Sequence, residues 1–392
     1  MKKDDWITAD EACRTLGVRA QTLYAYASRG LLRAQAHPDD ARRSLYRRVE
    51  VDELAMRKGR SRKLADIASA AIAWGEPVLQ SAITTVREGR CYYRGIDAAE
   101  LSDSATLESV AGILIGSASA VAPVAERLPF IEGPLPIHRL FQTLASRAAR
   151  AEPSAGASMS SLANEATLLL NLVADAVAGT QSPGAIHQRL AQVWGADPDG
   201  PVADLIRRML VLLADHELNA STFAARVTAS TGAPLAAALL SGLAALSGPR
   251  HGGMGAMVQR LVEEAAEHGS LATVKMRLAD GAPLPGFGHP LYPHGDIRAK
   301  VVLAKIPVPP ILAEIRTAAR DLAGLEPNID FAVTAACAVH GLPAGAPLAL
   351  FATARSAGWL AHAIEQSASG QLIRPRARYV GPIAQHQNQE QS

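Results

Sequence analysis

The chain has 392 residues, and its 39 Lys and Arg side chains nearly balance its 37 Asp and Glu side chains, so the formal net charge is only +2. This length exceeds a single hydrophobic core, which rarely grows beyond about 250 residues, so we expect two or three domains. Aromatic residues make up only 4% of the chain. Such a composition favours close packing of helices over β-sheet and predicts a mostly α protein.

Cysteine usage and hydropathy exclude further classes of protein. Cys13, Cys91 and Cys337 lie far apart in the sequence, which argues against a disulfide framework or a cysteine metal site and fits a reducing cytoplasm. The most apolar stretch, residues 233–248, is shorter than a membrane span and is interrupted by a proline and a serine. We therefore expect a buried helix there and a cytoplasmic protein with no membrane partner.

The charges are distributed unevenly along the chain. Residues 1–63 carry 15 basic and 9 acidic side chains, a net charge of +6. The remainder carries 24 basic and 28 acidic side chains, a net charge of −4. This asymmetry predicts a basic N-terminal module whose partners differ from those of the mildly acidic body.

Residues 6–58 have the pattern of two short helices joined by a tight turn. Thr8 and Glu11, three residues apart, predict a capping box at the start of the first helix, which Gly17 ends. The second helix runs through TLYAYAS, and this spacing predicts a helix-turn-helix. The basic run RRSLYRR at 42–48 predicts a hairpin or wing, and the following VEVDELAMRKG predicts a third helix.

The module resembles the helix-turn-helix of MerR-type regulators and excisionases over about 50 residues. That resemblance implies DNA as a partner, with the second helix in the major groove. The candidate base-contacting residues are Arg19, Gln21, Thr22 and Arg29. The candidate phosphate-contacting residues are Arg43, Arg47 and Arg48. A helical cap that solubilises the chain or joins its domains is an equally open interpretation.

A charged connector, RKGRSRK, separates this module at 1–58 from the rest, and we place a linker at 59–66. Beyond it, EGRCYYRGIDAAEL at 88–101 predicts a short pair of strands that leads into a helix. Helical periodicity then predicts helices at 107–116, 137–150, 160–178 and 184–194. The Gln-rich tail at 385–392 is expected to be disordered.

Four polar segments interrupt the alanine-rich helical sequence: DHELNAS with His216, GPRHGG with His251, GFGHPLY with His289, and NIDF with Asp330. An enzyme that handles carbanions and carboxylates needs such groups, because a carboxylate removes a proton and imidazoles stabilise the resulting negative charge. The glycines beside two of the histidines let the backbone approach a ligand closely. Later stretches supply Arg355, Arg374 and Arg376.

These blocks resemble the citrate synthase family, which reads DHELNAS, GPxHGGAN, GFGHRVY with a following DPRA, NVDF, ARTAGWLAH and IRPRAxYxG in this order. The chain has a counterpart of every block from about residue 64 onward, and blocks in order are more specific than any single motif. The resemblance implies a helical enzyme that condenses acetyl-CoA with oxaloacetate, through an enol or enolate and citryl-CoA, to give citrate and CoA. It implies a CoA thioester as co-substrate and no permanently bound cofactor.

The resemblance also implies roles for the matching residues. Asp330 would remove a proton from the thioester methyl group, His251 would stabilise the enolate, and His289 would donate to the keto oxygen of the oxo acid. The implied substrate-binding residues are His216, Arg298, Arg355 and Arg374. The implied CoA-contacting residues are Pro285, Gly286, Phe287 and Gly288. The family counterpart of Arg374 comes from the neighbouring subunit, which implies a homodimer.

The implied architecture has a large helical domain at 67–250 and 340–384 and a small domain at 251–339. Closure of the small domain over the large one would exclude water during condensation. The glycine-rich segments beside His251 and His289 are candidate hinge or contact loops.

Three departures from the family pattern bear on the acyl donor. HGGAN is HGGMG here, HRVYK is HPLYP, and DPRA is DIRA. Propionyl-CoA, which would give 2-methylcitrate, is therefore an alternative donor, since one methylene changes selectivity by only about 1 to 3 kcal/mol. A second alternative is a non-catalytic metabolite sensor that regulates DNA binding through residues 1–58.

Simpler interpretations of the same residues stay open at this point. A single histidine more often packs in a core than acts in catalysis. A metal site that adds Glu217 and His294 is disfavoured because no two candidate ligands have i, i+4 spacing on a helix. Asp330 is a candidate N-cap after Pro327, and Arg374 and Arg376 are candidates for a solvated face.

Overall fold

The computed structural model describes residues 6–18, 20–28, 31–37, 40–52, 54, 79–116, 127–377 and 379–381. The chain divides into two compact units, Met1–Gln80 and Ser81–Ser392. The linker at 59–66 and the tail at 385–392, both expected from the sequence, lie outside the described residues.

The first unit contains two short helices and a small three-stranded sheet. Its elements are β1 (Trp6–Thr8), α1 (Ala9–Leu16), α2 (Ala20–Ser28), β2 (Ala34–His37) and β3 (Asp40–Arg47). The predicted capping box is confirmed: the Glu11 N–H donates to Thr8 Oγ1 at 3.3 Å, and the Thr8 N–H donates to Glu11 Oε2 at 2.9 Å. Gly17 ends α1 in the left-handed conformation with φ 60°, as its position predicts.

The sheet of the first unit has the order β1-β3-β2, with both pairings antiparallel. Strands β2 and β3 form a hairpin, but it differs from the predicted one: the run at 42–47 lies within the single strand β3 and pairs with the preceding β2. The chain is helical again at 48–52. Strand β1 was not predicted, because three residues carry no period of their own. The buried side chains of this core are Ile7, Ala12, Leu16, Leu23, Leu32, Tyr46 and Val51.

The second unit begins with a small antiparallel sheet of β4 (Thr84–Arg87), β5 (Arg90–Tyr93) and β6 (Ile96–Asp97). The Asp97 carboxylate caps the short α3 (Ala98–Leu101) by accepting from the Ala99 N–H at 2.7 Å. The sequence predicted a strand pair and a helix here, and the structure adds the third strand after a turn at residues 94–95.

The rest of the second unit is mostly helical, and its helices pack around one extended core. The predicted helices agree with the structure within about two residues, the usual uncertainty of helix ends. The helices are α4 (Leu107–Ile115), α5 (Pro136–Ala148), α6 (Met159–Ala178), α7 (Ile186–Val193), α8 (Pro201–Leu213), α9 (Ala220–Ser230), α10 (Leu235–Leu246), α11 (Met254–His268), α12 (Ser270–Ala279), α13 (Ile297–Leu303), α14 (Pro310–Ala323), α15 (Ile329–Val339) and α16 (Ala346–Ser369).

Helix α16 lies at the centre of this core and contacts α4, α6, α8, α9 and α10. Glycines allow the close approach: a Cβ added at Gly242 of α10 would lie 2.7 Å from the Trp359 ring, and one added at Gly358 would lie 2.6 Å from the Ala214 carbonyl oxygen. The apolar stretch at 233–248 forms the buried α10, as predicted. Among the described residues, no helix has the length and apolar character needed to cross a bilayer.

The start of α15 corrects one open interpretation of the sequence. Asn328 is the N-cap, because its side-chain oxygen accepts from the Asp330 N–H at 3.0 Å and from the Phe331 N–H at 3.4 Å. Asp330 is therefore inside the first turn and is not the cap. Its side chain is not used for capping and remains available for chemistry.

Candidate active site

Loops at helix ends bring the predicted histidines of the second unit together. His216 lies between α8 and α9, His251 in the turn before α11, and His289 in the loop before α13. The rings of His216 and His289 are 5.1 Å apart, centroid to centroid, and nearly perpendicular. The charges of both His289 and His251 act on the pKa of His216, so all three imidazoles share one electrostatic environment.

His216 is almost fully buried, and its Nε2 lies 2.9 Å from the Tyr292 hydroxyl. Burial, followed by the charges of Arg298 and Arg355, holds the pKa of His216 well below its usual value, so the ring is neutral. The next residue, Glu217, adopts a left-handed φ of 50°. Its Oε1 accepts from the Val86 N–H at 2.7 Å, which ties the strained loop to β4.

The hydrogen bonding of His289 defines its tautomer. Its Nδ1 lies 3.1 Å from the Leu291 N–H and accepts from it, so the neutral ring carries its proton on Nε2. Burial, then the positive charge of Arg298, lowers the pKa of His289 to about 4. At neutral pH, His289 is thus an uncharged imidazole whose Nε2–H is a donor.

His251 contacts Ser221, which the sequence did not single out. The Ser221 hydroxyl donates to Asn219 Oδ1 at 2.7 Å, lies 2.8 Å from His251 Nε2 and accepts from the Trp359 indole N–H at 3.2 Å. Burial, then Arg355, lowers the pKa of His251 to about 4. The single hydroxyl proton of Ser221 decides the His251 tautomer, since donation to Nε2 puts the ring proton on Nδ1.

Asp330 has the raised pKa expected of a general base. The pKa of this carboxyl is raised to about 6, mainly by burial; Arg298 opposes the rise, Asp296 adds to it, and Arg355 opposes it more weakly. The side chain is only partly exposed. The same two arginines act on His216, and Arg355 also acts on His251, so the carboxylate and the imidazoles occupy one site.

Arg298 is held by a buried carboxylate. Asp296 Oδ1 accepts from Arg298 Nε at 3.0 Å, and Asp296 Oδ2 accepts from Arg298 Nη2 at 2.9 Å. The same Oδ2 accepts from the Ile329 N–H of α15 at 3.0 Å. The guanidinium carbon lies 4.9 Å from the centroid of the Tyr292 ring, a cation–π distance. Asp296 therefore joins Arg298 to the helix that carries Asp330.

Arg355 is fully buried in α16, and its Nε donates to the Leu213 carbonyl oxygen at 2.9 Å. A second buried contact supports the same region: His362 Nε2 lies 3.2 Å from the carboxylate of Asp215, the residue before His216. Neither Asp215 nor His362 was recognised from the sequence, because neither pairing follows a local pattern.

Arg374 is not among the residues gathered at this site within the described chain. It is exposed, like Arg376, in the extended segment after α16. Both residues match the solvated face that was one interpretation of the sequence.

The predicted CoA-contacting segment lies directly beside Asp330. Pro285, Gly286 and Phe287 are buried, and the Phe287 ring lies 5.0 Å from the Phe331 ring. Gly286 has φ 79°, and a Cβ added there would lie 2.9 Å from Phe331 Cβ, so only glycine fits. Gly288 lines a cavity of about 180 Å³ together with His289, Tyr292 and Asn328.

The candidate DNA-contacting residues belong to the first unit. Gln21 is exposed and Thr22 is half-buried on α2. Arg47 is half-buried at the end of β3, and Arg48 is exposed. The remaining candidates lie outside the described residues or have side chains outside them: Arg19, Arg29 and Arg43.

The site combines neutral imidazole donors, a carboxylate of raised pKa and two buried guanidinium groups. This combination is typical of one class of protein. This is an enzyme that removes a proton beside a carbonyl group and stabilises the resulting enolate while it holds an acidic substrate.

Comparison with known proteins agrees with that class. Residues 136–376 match the family model "Citrate synthase, C-terminal domain". The Mycobacterium tuberculosis protein named "Putative citrate synthase 2" is 34% identical over 340 residues, which cover 75% of this chain and 87% of that protein. "2-methylcitrate synthase 2" of Corynebacterium glutamicum is 32% identical over 223 residues, which cover 53% of this chain and 58% of that protein.

The fold is similar to that of citrate synthase from Thermotoga maritima, with a TM-score of 0.63 and 27% identity over 79% of this chain and 95% of that chain. The chain belongs to the citrate synthase family. Members are acyltransferases that use acetyl-CoA, with CoA entering as part of a substrate and no permanently bound cofactor.

The raised pKa of Asp330 predicts the acid side of the pH profile. The carboxylate acts as a base only when ionised, so kcat/KM should fall about tenfold per pH unit below pH 6 and level off above it. Both neighbouring histidines have pKa values of about 4, so they are neutral near pH 6, where the limb of Asp330 is expected. Steady-state rates between pH 4.5 and 8 measure the profile, and circular dichroism checks folding at each pH. An acid limb centred near pH 4 would contradict the assignment.

Proposed function

We propose that the second unit condenses acetyl-CoA with oxaloacetate to give citrate and CoA. The observation that carries this proposal is that two buried arginines link the candidate groups. Arg298 and Arg355 both act electrostatically on Asp330 and His216. Arg355 also acts on His251, and Arg298 also acts on His289. A carboxylate base and its enolate-stabilising donors must act on one reacting centre, because a thioester α-proton is too weakly acidic for a base alone.

The proposed first step is enolisation of the thioester. Asp330 takes a proton from the α-carbon, and the electron pair of the C–H bond forms the enolate. His251 donates a hydrogen bond to the thioester oxygen through Nδ1–H. This tautomer requires the Ser221 hydroxyl to turn its single proton from Asn219 Oδ1 to His251 Nε2. Ser221 is thus a positioning residue for the donor.

The second step forms the new carbon–carbon bond. The enolate carbon attacks the keto carbon of oxaloacetate while His289 donates its Nε2–H to the keto oxygen, which becomes the hydroxyl of citryl-CoA. Water then cleaves the thioester to give citrate and CoA. The observed Leu291 N–H to Nδ1 hydrogen bond supports this role, because it places the proton on the required nitrogen.

Carboxylate binding falls to His216, Arg298, Arg355 and the Arg374 of a second copy. Guanidinium groups bind carboxylates in a planar, bidentate way, and two of these arginines are already buried at the site. The exposure of Arg374 supports action in trans, and with it a homodimer.

We also propose that the candidate active site lies between a large domain at 67–250 and 340–384 and a small domain at 251–339.

Propionyl-CoA, giving 2-methylcitrate, is the second candidate donor. The similarity to a 2-methylcitrate synthase supports it, as does the replacement of a larger side chain by Gly255 in the first turn of α11. A Cβ at Gly255 would lie 3.3 Å from Thr334 Oγ1, and Thr334 is one turn beyond Asp330.

The three cysteines are free, which supports a cytoplasmic location.

A thiol-release assay tests the enzymatic proposal. The wild-type protein with oxaloacetate should release CoA from acetyl-CoA and, more slowly, from propionyl-CoA. Asp330→Ala should lower kcat at least about a thousandfold with little change in folding, because enolate formation loses its base. Absence of CoA release from either thioester would favour the sensor alternative, and a higher kcat/KM for propionyl-CoA would reassign the donor.

Coexpression of two inactive variants tests the trans role of Arg374. Asp330→Ala and Arg374→Ala are each expected to be inactive as homodimers. A mixed dimer pairs the intact Asp330 of one subunit with the intact Arg374 of the other, so random assembly should restore about a quarter of wild-type activity. No recovery would show that Arg374 acts within its own subunit, and an active Arg374→Ala homodimer would show that Arg374 has no role in the reaction.

DNA binding by the first unit is a separate candidate function. This candidate is supported by the net charge of +6 in residues 1–63, by the two short helices joined at Gly17, and by the basic residues of β3. In the sensor alternative, metabolite binding to the second unit would regulate this activity.

A mobility-shift assay at low salt tests this candidate. The wild-type chain should retard a mixed-sequence duplex, with affinity that falls steeply as salt rises, because phosphate contacts release counterions. Replacement of Arg47 and Arg48 by Ala should weaken binding about tenfold or more, while Arg14→Ala on α1 serves as the matched control. Unchanged duplex mobility at low salt would rule out DNA binding.

A further inference from the structure

Tyr292 contacts three of the residues proposed to hold the oxo acid, although it has no role in the condensation steps described above. Its hydroxyl lies 2.9 Å from His216 Nε2. The centroid of its ring lies 5.0 Å from that of the His289 ring and 4.9 Å from the guanidinium carbon of Arg298. The side chain is buried, with an exposed fraction of 2%. A change at Tyr292 would therefore reach all three groups.

A tight turn fixes the backbone of Tyr292. The Tyr292 N–H donates to the His289 carbonyl oxygen at 2.9 Å. Within the same turn, the Leu291 N–H donates to His289 Nδ1 at 3.1 Å. One turn therefore defines the tautomer of His289 and presents the Tyr292 hydroxyl to His216.

Two arrangements of protons are open at the contact between Tyr292 and His216. Burial raises the pKa of Tyr292 above its usual value, although Arg298 lowers it, so the hydroxyl keeps its proton at neutral pH. The His216 ring is neutral and carries one proton. Either the hydroxyl donates to Nε2 and the ring proton is on Nδ1, or Nε2–H donates to the phenol oxygen.

The first arrangement gives the stronger hydrogen bond. The bare nitrogen of a neutral imidazole is much more basic than a phenol oxygen, whose lone pairs are partly delocalised into the ring. The positive charge of Arg298 also favours loss of the Tyr292 proton, which makes the hydroxyl a better donor. Both effects place the hydroxyl proton toward His216 Nε2.

The first arrangement also suits an acidic ligand. Among the described residues, His216 Nδ1 makes no hydrogen bond, so this nitrogen is the one left for a substrate. A carboxylate only accepts hydrogen bonds, so it requires a proton on Nδ1. In the second arrangement Nδ1 would present a lone pair and repel the carboxylate.

We infer that Tyr292 is a positioning residue for the oxo acid: its hydroxyl donates to His216 Nε2 and keeps the ring proton on Nδ1, which donates to a carboxylate of oxaloacetate. This inference rests on the proposed function, because it requires the oxo acid at this site. Tyr292 acts through His216, and His216 takes no part in removing the α-proton. Loss of the hydroxyl is therefore expected to weaken oxaloacetate binding and to leave enolisation intact.

Proton–nitrogen correlation NMR of the histidine-labelled protein tests the tautomer without turnover. Protonated and bare ring nitrogens resonate differently, and His216→Gln identifies the His216 signals by their loss. The wild type should carry the His216 proton on Nδ1 at neutral pH. Tyr292→Phe removes only the hydroxyl and should move this proton wholly or partly to Nε2. A wild-type proton on Nε2, or the same tautomer in Tyr292→Phe, would overturn the inference.

Tyr93→Phe is the matched control. It also removes a buried hydroxyl, but this hydroxyl donates to the Val211 carbonyl oxygen at 3.0 Å and contacts no imidazole among the described residues. Both Tyr→Phe variants should lower the Tm, because each loses a buried hydrogen bond. Only Tyr292→Phe should change the His216 tautomer.

Steady-state kinetics test the consequence for binding. Tyr292→Phe should raise the KM for oxaloacetate about tenfold, while kcat and the KM for acetyl-CoA stay within about twofold. Tyr93→Phe should keep the wild-type KM for oxaloacetate. An unchanged KM for oxaloacetate in Tyr292→Phe would overturn the inference. If no thioester is turned over, the proposed function fails, while the NMR comparison still decides whether Tyr292 sets the tautomer.

Discussion

The buried carboxylate of Asp296 is the constraint on which the site depends. It accepts from Arg298 through two side-chain nitrogens and from the Ile329 N–H at the start of α15. The guanidinium group that would bind the oxo acid and the helix that carries Asp330 are therefore fixed to the same anion. Removal of one partner from a buried ion pair costs about 3 to 5 kcal/mol, because the other charge is left uncompensated. The position of Asp330 therefore depends on the ion pair between Asp296 and Arg298.

The same interaction explains how the base keeps a raised pKa beside two arginines. Burial favours the neutral forms of Asp330 and of the histidines, so the pKa of Asp330 rises to about 6 while those of His251 and His289 fall to about 4. Unpaired arginines would drive the Asp330 pKa down. Asp296 offsets the charge of Arg298, so the carboxylate stays basic and the imidazoles stay neutral donors.

The sequence predicted the residues of the site better than the contacts between them. Ordered motif blocks proposed His251, His289 and Asp330, whose segments the structure brings together, and helical periodicity located α4 to α7. The Ser221 to His251 contact and the Asp296 to Ile329 contact join segments about 30 residues apart, and no local period encodes such tertiary approaches. The sequence left the N-cap of α15 ambiguous, because Asn and Asp are both common N-caps. The choice between Asn328 and Asp330 depends on which residue begins the helix, and the sequence does not define that residue.

The pH profile of Asp296→Asn tests the central claim most directly. Loss of the negative charge should move the acid limb of kcat/KM to lower pH, because Arg298 is then unbalanced beside Asp330 and favours its ionised form. The KM for oxaloacetate should rise in the same variant, since the Arg298 guanidinium is no longer held in place. An acid limb at the wild-type position together with an unchanged KM for oxaloacetate would contradict the account.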